Sequence, residues 1–347
     1  MPDFASTLIA WQRRHGRKGL PWQGTRDPYR IWLSEVMLQQ TQVATVIPYY
    51  ERFLSRFPDV QALAAADEDE VLRLWSGLGY YARGRNLHVA ARKVVSAYAG
   101  RFPDSIEEIA ELPGIGRSTA AAIAAFAFGR RTAILDGNVK RVLARCYGIE
   151  GWPGEREVET KLWRLAERLL PRNNIGVYTQ ALMDLGATVC IKKPRCDACP
   201  VRRRCVARRD DRAHELPVPR PKKTVPVKSA IWLLLLHKKQ VLLERRPGAG
   251  LWGGLWTFPE ARNANYSGQG RELGCEVSSA RELQPLEHGF THFRLHIRPV
   301  LCQVSRTLSR AEAPGRLWLD LEDCAHAAVP APVKKVVALL AASNASS

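Results

Sequence analysis

The stretch ELPGIGRSTAAAIAAF, Glu111–Phe126, decides how the first part of this chain folds. Pro113 closes one helix. Gly114 and Gly116 permit a tight turn whose backbone N–H groups point outward. Arg117 then opens an alanine-rich helix, and a helix N-terminus carries partial positive charge. Main chain alone therefore builds a compact anion site suited to a phosphodiester. A bare Gly-x-Gly is a weak signal. The preceding Leu-Pro and a helix on each side make it specific, with an ordinary corner between two helices as the plainer alternative.

Outward from this hairpin the texture is helical. Alanine-rich amphipathic stretches recur over Val60–Trp75, Asn86–Tyr98 and Ser118–Phe128, and their spacing predicts helices. Residues 1–208 read as one all-helical domain. Residues 209–228, RDDRAHELPVPRPKKTVPVK, hold four prolines and no hydrophobic periodicity, which predicts a linker. After it come short apolar runs bounded by turn signals: AIWLLLLH at 230–237, QVLLERR at 240–246 and FTHFRLHIRPVLCQV at 290–304. These read as strands. PVKKVVALLAA at 332–342 fits one amphipathic helix. Residues 229–342 are thus expected to form an α+β domain, with 343–347 a polar tail.

A length of 347 residues allows two domains, and 46% hydrophobic with 25% charged residues is a globular composition. The net charge of +18 favours a polyanion partner. The charge is uneven: thirteen Lys and Arg face four Asp and Glu between Lys192 and Lys228. The N-terminal residues carry no apolar core of signal-peptide length, and the longest apolar run, Ile231–Leu236, is far too short to cross a membrane. A cytoplasmic protein with reduced cysteines is expected, with no membrane partner. Four of those cysteines, Cys190, Cys196, Cys199 and Cys205, crowd into sixteen residues, CIKKPRCDACPVRRRC. Such density reads as an iron–sulfur or zinc site. Zinc ribbons usually pair two CxxC units, and only Cys196 and Cys199 form one here, which favours iron–sulfur while leaving zinc open on spacing. Lys192, Lys193, Arg195, Arg202, Arg203 and Arg204 lie in the loop it would pin, a device for gripping phosphates.

Two carboxylates stand out. Glu35 sits in IWLSEVMLQQTQVATV; on a helix Ile31, Glu35, Leu38 and Gln42 share one face. A carboxylate on an apolar stripe is costly to bury, so it either pairs with a cation or has its pKa raised for a purpose. Asp136 lies in TAILDGNVKRVLAR, where Asp-Gly suggests a turn and Asn138 could cap the next helix. Taken alone, Asp136 reads as a helix cap.

The stretches LPWQGTRDPYRIWLSEVMLQQTQV, WSGLGYYARGRNL, LPGIGRSTA, ILDGNVKRVLAR, YTQALMDLGATVC, the four cysteines and HGFTHFRL cover nearly the whole chain. Their combination resembles the helix–hairpin–helix base-excision glycosylases that bind a [4Fe–4S] cluster, and within them the adenine DNA glycosylases of the MutY type. The resemblance implies an all-α glycosylase domain with a cluster loop, followed by an α+β NUDIX-like domain. It implies removal of adenine mispaired with 8-oxoguanine or guanine in double-stranded DNA, by a protein expected to be a monomer. Glu35 then matches the general acid that protonates N7 of adenine, and Asp136 the carboxylate that stabilises or captures the oxocarbenium sugar. Cys190, Cys196, Cys199 and Cys205 match the cluster ligands. Gln40 and Tyr80 match residues that intercalate beside the orphaned guanine, with Leu38 nearby. Trp22 and Gln180 match the lining of the adenine pocket. Gly114, Gly116, Arg117 and Ser118 of the hairpin, with Asn138, complete the DNA-contacting set. Phe290, Thr291 and His292 match a loop that probes 8-oxoguanine.

The chain departs from that family in places. Five residues separate Cys190 from Cys196, one fewer than the family usually has. Thr291 stands where serine is common. The related endonuclease III group carries a Schiff-base lysine where Ser118 stands, so base removal without strand cleavage is expected. The NUDIX-like part shows no REUxEExGU stretch, which makes it a lesion reader rather than a second hydrolase. Two other readings remain: a bifunctional endonuclease III-like glycosylase–lyase, and a non-enzymatic iron–sulfur DNA-binding regulator.

Overall fold

The computed structural model describes residues 3–221, 224–248, 250–290 and 292–345. It divides into two compact units, Met1–Ala65 with Asn86–Lys222 and Ala66–Arg85 with Lys223–Ser347.

The first unit is helical. α1 spans Phe4–His15, α2 Pro28–Leu38, α3 Val43–Arg56 and α4 Val60–Ala65. α5, Glu68–Trp75, belongs to the second unit. α6 runs over Ala82–Tyr98 and α7 over Ile106–Ala110. α8 (Arg117–Phe128), α9 (Gly137–Tyr147), α10 (Arg156–Arg168) and α11 (Ile175–Asp184) follow. Starts are written locally. Asp27 accepts from the Tyr29 N–H at 2.9 Å with Pro28 at the first helical position of α2. α8 is central because its side chains are small. Ala120, Ala121, Ala122, Ala124 and Ala125 are buried, which lets α2, α7 and α11 pack against it. Leu8, Val142, Leu143, Leu162 and Leu182 fill the core between α1, α9, α10 and α11.

The second unit is built on an eight-stranded sheet. β1 (Val227–His237) runs antiparallel to β2 (Gln240–Arg245) and parallel to the long strand Arg294–Thr307. The apolar run of β1 is buried on both faces, as suits a central strand. Trp232, Leu234 and Leu236 enter one core cluster, and Leu233 and Leu235 the other. A C-terminal helix over Ala331–Ala345 buries Val333, Val336, Val337 and Leu340 against the first of these, and it continues through 343–345 of the expected polar tail.

Four further expectations need correction. The helix expected over Val60–Trp75 is broken at Asp67, whose extended backbone precedes the acidic first turn of α5. Residues 66–85 leave the expected 1–208 domain for the second unit. Leu72 of α5 lies in that unit's core, Arg245 reaches Asp69 at 2.7 Å, and Ser76 Oγ donates to the Val329 carbonyl at 3.1 Å. The expected linker is only partly one. Leu216 is buried, its carbonyl accepts from Arg145 Nε at 2.7 Å, and Arg212 pairs with Glu150 at 2.6 Å. Val227 already belongs to β1. The run expected as a strand from Phe290 becomes one only at Arg294, because the Phe290 N–H donates to the Phe293 carbonyl and closes a turn. Among the described residues no helix is long and apolar enough to cross a membrane.

Candidate active site

The end of α2 and the start of α9 bring the two carboxylates together. Glu35 and Asp136 line one cavity of about 630 Å³, with Leu38, Ser118 and Asn138 in the same wall. Gln42 lies past the end of α2 at the N-cap of α3, so the face expected for Glu35 ends at Leu38. Burial, with the Asp136 charge adding to it, pushes the Glu35 carboxyl up to about 8. Burial also raises Asp136, but donors oppose it. Asp136 Oδ1 accepts from the Val139 N–H at 2.7 Å as the N-cap of α9, and Asn138 Nδ2 lies 3.4 Å from Oδ2. Asp136, not Asn138, is the cap. Being a cap does not exclude chemistry: one oxygen is held by the helix while the residue still lines the cavity. Among the described residues Glu35 has no such donor, and of the two carboxyls it is the one whose protonated form its surroundings favour up to about 8.

A second cavity of about 260 Å³ is also lined by Glu35 and Leu38, and by Trp22 and Gln180. Trp22 is buried with its ring edge-on to Tyr50 at 5.4 Å. Gln180 Nε2 donates to Asp184 Oδ1 at 2.9 Å. Asp184 is absent from the residues that the sequence singles out. It is fully buried and also takes Arg17 Nε at 2.6 Å, the Arg17 N–H at 2.8 Å and Gln12 Nε2 at 2.9 Å. The signal is nevertheless present in YTQALMDLGA: a carboxylate at the end of an apolar helix, the same anomaly that marks Glu35.

In the hairpin, Gly114 has φ +80°, and a Cβ there would sit 2.7 Å from Asn86 Cβ. Gly116 differs: its φ is −91° and a Cβ would meet nothing within 4 Å. It caps α8 with no side-chain acceptor, so no capping side chain takes the first N–H groups of α8. Arg117 lies over Trp163 at 3.9 Å and pairs with Glu167 at 2.5 Å. Ser118 Oγ accepts from the Leu135 N–H at 2.9 Å, tying the hairpin to the residue before Asp136. Gln40 and Tyr80 are both exposed and both have positive φ, +57° and +48°. Such conformations are uncommon outside glycine.

The four cysteines line a single cavity with Cys146, Leu185 and Val189. Among the described residues no three His, Cys, Asp or Glu side chains converge closely enough to hold one metal ion. Burial pushes Cys190 up and Cys199 to about 12, while a hydrogen bond with Cys146 holds Cys205 down to about 6. Two arginines that the sequence does not mark organise this region. Buried Arg145 donates to the carbonyls of Ile191 at 2.6 Å and Lys192 at 3.1 Å, and reaches Cys190 Sγ at 3.4 Å. Arg141 donates to the Cys190 carbonyl at 2.7 Å, the Gly186 carbonyl at 2.6 Å and Asn138 Oδ1 at 2.8 Å. Asn138, Arg141 and Arg145 fall on one face of α9, a spacing readable in NVKRVLAR.

In the second unit Phe290 is half-buried, stacked on Phe293 at 4.5 Å and packed on Trp252 at 5.6 Å. Its ring is an anchor for the turn. His292 is exposed. Thr291 lies outside the described residues.

Comparison with known proteins agrees with both units. Residues 33–168 match the HhH-GPD superfamily of base excision DNA repair proteins, and residues 230–339 match the NUDIX domain. The chain is 37% identical over 337 residues to the adenine DNA glycosylase of Buchnera aphidicola, covering 96% of each chain. It is 35% identical to the human adenine DNA glycosylase, over 96% of this chain and 73% of that one. A thermostable thymine-DNA glycosylase aligns with TM-score 0.53 at 30% identity, over 60% of this chain and 95% of its own. With its helical hairpin unit, its NUDIX-type sheet and these similarities over nearly its full length, the chain belongs to the adenine DNA glycosylase family of base excision DNA repair.

Proposed function

We propose that the chain releases adenine paired with 8-oxoguanine or guanine in duplex DNA, as a monofunctional glycosylase working as a monomer. The observation that carries this is the split pair in one cavity: Glu35 held protonated to about 8, and Asp136 supplied with N–H donors. Adenine leaves badly as an anion, so its glycosidic bond breaks only when the base is protonated. Glu35 is the acid, and a carboxyl with a pKa near neutrality delivers a proton efficiently there. The sugar becomes cationic, and Asp136 is the anion that stabilises or captures it. This is the two-carboxylate logic of glycoside hydrolysis.

The base must first leave the stack, at a cost of roughly a few kcal/mol. Gln40, exposed on the first unit, fills the gap, with Leu38 nearby; Tyr80, exposed on the second unit, is a second side chain suited to insertion. Trp22 and Gln180 hold the extruded adenine. The uncapped N–H groups after Gly116, with Arg117 and Ser118, grip the backbone. Asn138 steadies Asp136. The Ser118 hydroxyl cannot form a Schiff base, which favours base removal without strand cleavage. His292, with Phe290 and Thr291, reads the lesion from the second unit.

The cysteine loop holds a [4Fe–4S] cluster. Four soft sulfur donors from one short loop lining one cavity suit iron–sulfur ligation, and the Arg145 N–H 3.4 Å from Cys190 Sγ suits a thiolate. Bound there, the cluster would fix the basic loop 190–205 against α9. The reaction itself draws on the side chains named above.

The test is single-turnover release of free adenine from a duplex carrying adenine opposite 8-oxoguanine. Adenine should appear with strands intact until alkali is added. Strand breaks without alkali would favour a glycosylase–lyase, and duplex binding with no released base would favour a DNA-binding regulator.

A further inference from the structure

Asp184 takes four N–H donors beside the cavity lined by Glu35, Trp22 and Gln180, and the proposed chemistry leaves it unused. It is fully buried. Its Oδ1 takes Arg17 Nε at 2.6 Å and Gln180 Nε2 at 2.9 Å. Its Oδ2 takes the Arg17 N–H at 2.8 Å and Gln12 Nε2 at 2.9 Å. Four N–H donors fill the acceptor sites of an ionised carboxylate. The donors come from the end of α1, the loop after it and α11. A π-helical turn, Leu185–Val189, begins directly after Asp184, the kind of irregularity that often marks functional sites.

The consequence falls on Gln180, which lines the cavity shared with Glu35 and Trp22. A glutamine amide can usually turn over and exchange its donor and acceptor ends. Here it cannot. Turning it would set the amide oxygen against a buried carboxylate. The nitrogen is therefore held on Asp184 and the carbonyl oxygen is the end left for the cavity. A fixed acceptor matches the amino group on C6 of adenine, which donates. It mismatches the C6 oxygen of guanine or hypoxanthine, which accepts.

We infer that Asp184 is a positioning residue for base selection: it locks the Gln180 amide with its oxygen toward the pocket, so the site takes 6-amino purines and refuses 6-oxo purines. This rests on the reading of that cavity as the adenine pocket. Gln12 and Arg17 hold Asp184 in turn. Gly16 gives Gln12 its room, since a Cβ there would come 2.1 Å from the Gln12 amide oxygen. The Gly16 φ of −64° suits any residue, so alanine at 16 would displace the Gln12 amide without straining the backbone.

The experiment measures single-turnover release of adenine and of hypoxanthine, each opposite 8-oxoguanine, by the full-length protein and by Asp184→Asn. Asparagine can offer either an oxygen or an N–H to Gln180 and so permits both amide orientations. The ratio of adenine to hypoxanthine rates should narrow by about tenfold or more. The intrinsic leaving ability of each base cancels between proteins. A merely structural role would slow both bases by the same factor, and an unchanged ratio overturns the inference. Gly16→Ala keeps it testable if Asp184→Asn does not fold: it should narrow the ratio in the same direction by a smaller factor, and an unchanged ratio there likewise counts against the inference. If the unmodified protein releases no adenine at all, the reading of the pocket fails and the lock falls with it.

Discussion

Replacing Glu35 by glutamine should inactivate the protein and make it more stable. The side chain keeps its shape and loses its acid. Single-turnover adenine release should fall by roughly 10²–10⁴-fold, the usual contribution of a positioned general acid, with duplex binding intact. The stability effect follows from the same burial. In the unfolded chain Glu35 releases its proton near 4.5, and in the folded chain it keeps it to about 8. Between those values the folded state binds the extra proton, so stability falls as pH rises through the window. Each pH unit is worth about 1.4 kcal/mol, which makes the cost at pH 7 about 3 kcal/mol. Glutamine does not titrate and escapes it. At pH 7 Glu35→Gln should therefore melt several degrees higher than the unmodified protein. Near pH 4.5 the two should melt together. Thermal unfolding followed by circular dichroism at several pH values reads this directly. A variant that loses activity but gains no stability from pH 5 to pH 8 would refute the raised pKa and with it the reason for choosing Glu35 as the acid.

Asp136→Asn should abolish most adenine release with little change in melting temperature, because asparagine caps α9 about as well as aspartate; near-normal cleavage would remove Asp136 from the mechanism. Protein purified without oxygen should be yellow-brown and hold about four irons per chain, and a colourless protein with stoichiometric zinc would rule the cluster out. His292→Ala should keep adenine release opposite guanine and lose preference for 8-oxoguanine, measured as the ratio of the two single-turnover rates. An unchanged ratio would free the second unit from lesion reading.

Much is legible in the order of residues alone. The Gly-x-Gly hairpin, the two-part helical and strand-rich organisation and the clustering of four cysteines depend on local chain geometry and short spacing. Glu35 announces itself because a carboxylate on an apolar helix stripe is anomalous wherever the helix ends up. Two features carry a fainter sequence signal that gains meaning only in the folded chain: the i, i+3, i+7 face of Asn138, Arg141 and Arg145, and the buried acid Asp184. The rest is decided by contacts between residues far apart along the chain. Asp136 is both a cap and a cavity wall because α9 begins where α2 presents Glu35, and the Asp136 charge then adds to burial in raising Glu35. Residues 66–85 join the second unit because Leu72 finds its core there and Arg245 reaches Asp69. Half of the proline-rich segment is anchored because buried Arg145 must satisfy its donors, and the Leu216 carbonyl is one partner. Local sequence sets which groups the chain carries and how each turn is made. Which donor meets which buried charge is settled only when distant segments close on one another, since a buried polar group takes whatever partner the packed chain brings within reach.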